Sequence, residues 1–193
     1  MKIVFATNNS NKLSEIKALV PNTIEIVSLK EIGCFDELPE TQDTLEGNAL
    51  QKAEYVLNNY NKACFSDDTG LLVDVLNGEP GVYSARYAGP DNSSEKNMDK
   101  LLKNLEGKEN RSASFETVIA LLLNGEKHIF KGRVDGEIGT EKKGKDGFGY
   151  DPIFIPENGR LTFSEMSSAA KGEISHRGRA VRKLISFLTT LEH

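Results

Sequence analysis

The chain has 193 residues, 38% of them apolar and 27% charged, which suits one soluble globular domain with length enough for two lobes and a sizeable core. Its 24 basic residues against 29 acidic ones leave a net charge of -5, which excludes a general nucleic-acid binder, because phosphate contacts need clustered cations. Its two cysteines, Cys34 and Cys64, are neither a disulfide framework nor spaced as metal ligands, and no apolar run approaches the length of a membrane span.

Residues 1–5 run at once into polar positions 7–12, so no signal peptide is expected and the chain reads as a cytoplasmic soluble protein with no membrane or nucleic-acid partner. The closing Leu191-Glu192-His193 matches the start of a vector-encoded histidine tag, and His193 is assigned no function.

Residues 2–7 read as a short buried strand. A helix is expected over 11–20, with Leu13, Ile16, Leu19 and Val20 on one face and Pro21 as its stop. Between them lies Thr7-Asn8-Asn9-Ser10-Asn11-Lys12. A strand that turns through small polar residues into a helix presents backbone N–H groups and a positive dipole end, a seat for phosphate. Lys12 opposes that dipole unless an anion is present. The same residues also read as an Asn- or Ser-capped turn with Lys12 in solvent. No Walker loop occurs in the chain.

Residues 23–29 alternate as a second strand, and 31–44 form an acidic loop that carries Glu40. A helix is expected over 45–57, with Asp43 and Glu46 resembling a capping box and Lys52 off the apolar stripe. Ala63-Cys64-Phe65 then suits a buried strand, and Ser66-Asp67-Asp68-Thr69-Gly70-Leu71 follows. The two carboxylates are expected at a strand end, with Gly70 where the chain turns. Adjacent aspartates repel unless a positive charge lies near, and Mg²⁺ meets that need through carboxylate oxygens and water. A polar strand end with ordinary turn chemistry explains the same residues.

Residues 78–89 form a glycine-rich loop with two tyrosines and Arg86, and a helix capped at Ser93 or Ser94 is expected to end near Leu105. Strands over 113–123 and 127–134 meet at Asn124-Gly125, a strong hairpin signal, with His128 as a structural strand residue. After a charged loop at 141–147, Phe148-Gly149-Tyr150-Asp151 places a glycine between aromatics ahead of an apolar strand, as fit for a purine ring as for a core. Ser175 caps a last helix reaching about Leu191. His176, Arg177 and Arg179 crowd its first turn, so two helix starts carry cations and ask for an anionic ligand.

Five stretches occur in one order: Thr7-x-Asn9-x-x-Lys12, Ser66-Asp67-Asp68-Thr69-Gly70-Leu71, Pro80-Gly81-Val82-Tyr83-Ser84-Ala85-Arg86-Tyr87, Phe148-Gly149-Tyr150-Asp151-Pro152 and Ser175-His176-Arg177. Together they resemble the inosine-triphosphate pyrophosphatase family, which removes non-standard purine nucleotides, and the resemblance covers essentially the whole chain. Thr69 stands where serine is commoner, which keeps the hydroxyl.

The resemblance implies an α/β fold with an elongated mixed central sheet flanked by helices, a single domain over residues 1–193 whose two lobes hold a cleft between them, and a homodimer. It implies hydrolysis of ITP, dITP and XTP to nucleoside monophosphate and pyrophosphate. Thr7, Asn8, Asn9, Ser10, Asn11 and Lys12 would hold the triphosphate with Lys52. Glu40 and Asp68 would bind Mg²⁺, with Asp68 as the catalytic base. Thr69 would touch substrate, while Phe148, Gly149, Tyr150, Asp151, Lys171, His176 and Arg177 line the base and sugar site. The Arg177 guanidinium is expected to face the 6-oxo edge of the purine. A pyrophosphatase for modified guanine or pyrimidine triphosphates is disfavoured by the stretches at 148–151 and 175–177. A non-catalytic nucleotide sensor need not keep Glu40 and Asp68.

Overall fold

The computed structural model describes residues 1–191, so His193 lies outside the described residues. In chain order the elements are β1 (Lys2–Phe5), α1 (Ser10–Leu19), β2 (Glu25–Val27), α2 (Leu45–Tyr60), β3 (Cys64–Val73), β4 (Pro80–Gly81), α3 (Ser94–Asn104), β5 (Ser112–Leu123), β6 (Glu126–Ile138), β7 (Phe154–Pro156), α4 (Ser168–Ile174) and α5 (His176–Thr190). The strands form a mixed sheet in the order β2-β1-β3-β5-β6-β7, with β4 beside β3. β1 runs parallel to β2 and β3, whereas β4 is antiparallel to β3 and β7 to β6. The expected α/β class, a mixed sheet with helices about it, is what forms.

Two compact units divide the chain. The first comprises Met1–Asp68, Thr117–Gly132 and the chain from Arg177 on; the second comprises Thr69–Glu116 and Arg133–His176. In the first unit β1 is buried on both faces, which explains its unbroken apolar run. Ile3 and Phe5 join Ile16 of α1 and Ala180, Val181, Leu184 and Leu188 of α5. Val4 and Ala6 join Ala53 and Val56 of α2. Phe5 and Phe65 stack at 4.7 Å between ring centres. The core of the second unit packs Met98, Leu101 and Leu105 against Leu71, Phe115, Val134, Phe154 and Phe163.

Local chemistry sets most of the ends. Ser93 caps α3 as expected, accepting from the Lys96 N–H. Asn124 and Gly125 both take positive φ (53° and 81°), as a two-residue hairpin turn requires. His128 is a strand residue whose ring lies 4.2 Å from that of Phe187. Among the described residues no helix is long and apolar enough to cross a membrane.

Four local expectations need correction. β3 does not break at Asp67-Asp68 or turn at Gly70; it continues to Val73, because the buried polar side chains find partners on the flanking helices. The cap of α2 is Thr44, whose hydroxyl accepts from the Gly47 N–H, and not an Asp43–Glu46 box. That helix also runs on to Tyr60, ending where Asn61 adopts the left-handed conformation. Helix α4, capped by Ser167, was not expected, since seven residues with few apolar members give no readable periodicity.

Gly136 of β6 lies opposite Pro156 of β7, and a Cβ there would collide with the Ile155 carbonyl oxygen and approach Phe154 to 2.8 Å. Gly136→Ala should therefore destabilise the protein by about 1–3 kcal/mol, read as a lower urea midpoint. An unchanged midpoint would show that the β6–β7 pair opens without strain.

Candidate active site

Asp67 and Asp68 are consecutive on β3, so the pleat sends their side chains to opposite faces. Phe65 and Asp67 share the face covered by α1 and α5. Cys64, Ser66 and Asp68 share the face covered by α2, where Cys64 Sγ and Ser66 Oγ bond to the Ala53 and Ala49 carbonyls. The adjacent carboxylates thereby avoid each other and acquire different partners.

On the first face Lys12 Nζ lies 3.0 Å from Asp67 Oδ1, and Arg177 Nε lies 3.4 Å from Asp67 Oδ2. Arg177, 2% exposed, also bonds through Nη1 to Glu15 Oε2 at 2.5 Å. The anion demanded by the two cationic helix starts is thus supplied from within the protein. The Nε and Nη1 of Arg177 are directed at the carboxylates of Asp67 and Glu15. Burial opposes ionisation of Asp67, yet Lys12, Arg177 and Lys52 hold its carboxyl far below the usual carboxylate range. Burial, reinforced by Lys52 and Arg177, outweighs Asp67 at Lys12 and lowers that ammonium from its ordinary value.

On the second face Asn48 Nδ2 donates to Asp68 Oδ2 at 3.2 Å, and Lys52 Nζ lies 3.4 Å from Asp68 Oδ1. Lys52 also pairs closely with Glu40. Burial pushes Asp68 above its ordinary value, and Glu40 and Asp67 add to this, against Lys52 and Lys12. At Lys52 burial works downward but Asp68 and Glu40 prevail, so the ammonium is raised. Among the described residues no group of three or more His, Cys, Asp or Glu is arranged around a metal. Glu40 and Asp68 instead converge on one cation with hard oxygens. That donor chemistry fits Mg²⁺, which takes one or two carboxylates and completes its sphere with water and phosphate oxygens.

The turn before α1 is internally satisfied. Asn9 caps the helix, its side chain accepting from the N–H groups of Asn11 and Lys12, and Thr7 Oγ1 accepts from the Asn9 N–H. The N–H groups of Asn9, Asn11 and Lys12 are therefore paired, and of the two readings of this turn the Asn-capped one is what forms. Asn8 faces the other way, donating to the Asp36 carbonyl and accepting from the Leu38 N–H. Ser10 opens the helix, and its carbonyl accepts from Ser14 Oγ. Lys12 does not extend into solvent: its side chain is 13% exposed.

In the second unit Asp151 Oδ2 accepts from the Phe148 N–H at 2.8 Å and from Lys171 Nζ at 2.7 Å. The Lys171 ammonium also lies 5.0 Å from the centre of the Phe148 ring. Gly147 precedes Phe148 with φ +80°, and a Cβ there would meet the Asp151 carboxylate. Tyr150 donates its hydroxyl to the Ser84 carbonyl, and His176 stacks on Phe115 at 4.5 Å. Gly149 takes φ +64° and Thr69 follows Asp68 on β3. The expected residues thus form two groups, one in each unit. Sequence reasoning missed Asn48 and Glu15; each lies one helical turn from an expected lysine (Lys52 and Lys12), the signal that could have found them.

The two aspartates should respond oppositely to neutralisation. A carboxyl with a depressed pKa stabilises the fold above its unfolded value and loses that contribution as the pH falls toward its native value. A raised one favours its protonated form, so its charge works against the fold at pH 7. Asp67→Asn should destabilise by about 3–5 kcal/mol at pH 7, since Lys12 and Arg177 lose their shared counter-charge. Asp68→Asn should be near neutral or stabilising by urea unfolding, and equal losses in both variants would refute this division.

The model of the Ham1 family matches residues 3–187. A Flavobacterium johnsoniae protein named dITP/XTP pyrophosphatase is 57% identical over 189 residues, covering 98% of each chain. The structure of the Staphylococcus aureus Ham1 protein superposes with a TM-score of 0.88 at 41% identity, over 98% of this chain and 99% of that one. A HAM1 protein from Coxiella burnetii gives 0.90 at 38% identity with the same coverage. With a family model spanning nearly the whole sequence and relatives this similar along their full length, the chain belongs to the Ham1 family.

Proposed function

We propose that this protein hydrolyses the non-standard purine nucleoside triphosphates ITP, dITP and XTP to nucleoside monophosphate and pyrophosphate, removing them from the nucleotide pool. The observation that carries the reading is the divided pair on β3: Asp67 is taken up by Lys12 and Arg177, while Asp68 lies on the opposite face beside Lys52, which also pairs with Glu40. The printed names of the relatives support the same substrate class.

In this reading Thr7 to Lys12 and Lys52 hold the triphosphate, the two ammonium groups offsetting the charge that gathers on the leaving pyrophosphate. Asp68 accepts a proton from a water whose oxygen attacks the α-phosphorus; the bond from that phosphorus to the β-bridging oxygen breaks, and its electrons leave with pyrophosphate. Mg²⁺ bound by Glu40 and Asp68 would neutralise phosphate charge and make the water more acidic. Thr69 touches substrate, and Phe148 to Asp151, Lys171, His176 and Arg177 line the base and sugar, with Arg177 as the donor toward the purine edge. A buried donor facing the 6-oxo group leaves ATP, with its amino group, an unmatched pair worth about 1–3 kcal/mol. The reading also takes the protein to be one two-lobed domain, cytoplasmic and homodimeric, which sedimentation of the purified protein tests for the last point.

The test is release of pyrophosphate or orthophosphate from ITP, dITP, XTP, GTP and ATP with Mg²⁺. Pyrophosphate from the first three is expected, and chelation of the metal should abolish it. Orthophosphate as the main product, or binding without turnover, would overturn the reading. Asp68→Asn should lower turnover about a hundredfold or more while nucleotide binding survives. Near-normal turnover in that folded variant would remove Asp68 from the mechanism.

A further inference from the structure

Asn48 is 1% exposed on α2, one turn before Lys52, and both ends of its amide are used. Its Oδ1 accepts from the Gln42 N–H at 2.9 Å, which fixes the other end as the donor, and that Nδ2 lies 3.2 Å from Asp68 Oδ2. Gln42 belongs to the irregular stretch that carries Glu40. The same stretch is held by Gln51, which exchanges hydrogen bonds of 2.9 and 2.8 Å with Thr41, and by the Tyr55 hydroxyl on Asp36. Asn48, Gln51, Lys52 and Tyr55 follow helical spacing, so one polar stripe of α2 binds this stretch.

Within that stripe Asn48 has a distinct geometry. Gln51 and Tyr55 reach the loop alone and Lys52 joins the Glu40 and Asp68 side chains by charge, whereas Asn48 joins the loop backbone to the side chain of Asp68. A carboxylate can rotate about its terminal bond through a broad well. A donor fixed on Oδ2 sets the plane of the Asp68 carboxyl and leaves Oδ1 turned to Lys52. Resting on the reading of Asp68 as the base, we propose that Asn48 is a positioning residue that locks the rotation of the Asp68 carboxylate to the backbone carrying Glu40. Partners at this remove from a metal or base change activity by about 10–100-fold when lost.

Two substitutions separate positioning from simple bracing. Asn48→Ala removes both hydrogen bonds; Asn48→Asp keeps the shape and the acceptor for Gln42 but sets a like charge against Asp68 where the donor was. Amide hydrogen exchange at Gln42 should lose protection in Asn48→Ala and keep it in Asn48→Asp. At pH 8 with ITP and Mg²⁺, kcat should fall at least about tenfold in both, with KM within about threefold of the wild type. An Asn48→Asp protein that keeps Gln42 protected and turns over within about twofold of the wild type would show a brace only and overturn the proposal. A loss confined to KM would overturn it as well. If the folded wild type releases pyrophosphate from no nucleotide, the functional reading itself fails and takes this inference with it.

Discussion

The buried carboxylate of Asp67 is the constraint on which the first unit depends. Lys12 and Arg177 both lie at the starts of helices, where the dipole disfavours a cation, and both are withdrawn from solvent. Neither position is tolerable without an anion within reach. Asp67 provides it from the central strand and so ties β3, α1 and α5 together through one side chain. Replacing such a group by apolar packing can be neutral, but removing one partner alone leaves charge uncompensated in a poor dielectric.

The pleat of β3 turns that constraint into a division of labour. Because Asp67 engages the cations of one face, Asp68 meets the other, where an amide, an ammonium and the Glu40 carboxylate surround it. Burial and like charges keep Asp68 more basic than usual, which suits a proton acceptor. The second unit solves a similar problem at Asp151, whose carboxylate is held by a backbone N–H and by the Lys171 ammonium. A carboxylate so held fixes Phe148 in backbone position and places a cation by its ring.

Much of the fold was legible because its signals are local. Apolar periodicity marked α1, α2, α3 and α5, and Asn124-Gly125 marked the hairpin. The ordered motifs carried the family. What escaped was decided by distant partners. Nothing near Gly70 tells that β3 continues, because its polar residues are satisfied by α1, α2 and α5. Arg177 read as a residue awaiting an anionic ligand, since Glu15 and Asp67 lie 162 and 110 positions away in sequence. Asn48 escaped for the opposite reason: a polar residue on an amphipathic helix reads as solvent-facing until its neighbours are known.

The central claim is that Asp68 directs water to the α-phosphorus. Hydrolysis of ITP in ¹⁸O-labelled water, with the products resolved by ³¹P NMR, tests it most directly. The account predicts that the label enters inosine monophosphate and that pyrophosphate leaves without it. Label in pyrophosphate would mean attack at the β-phosphorus, and the assignment of Asp68 with its surrounding charges would be wrong.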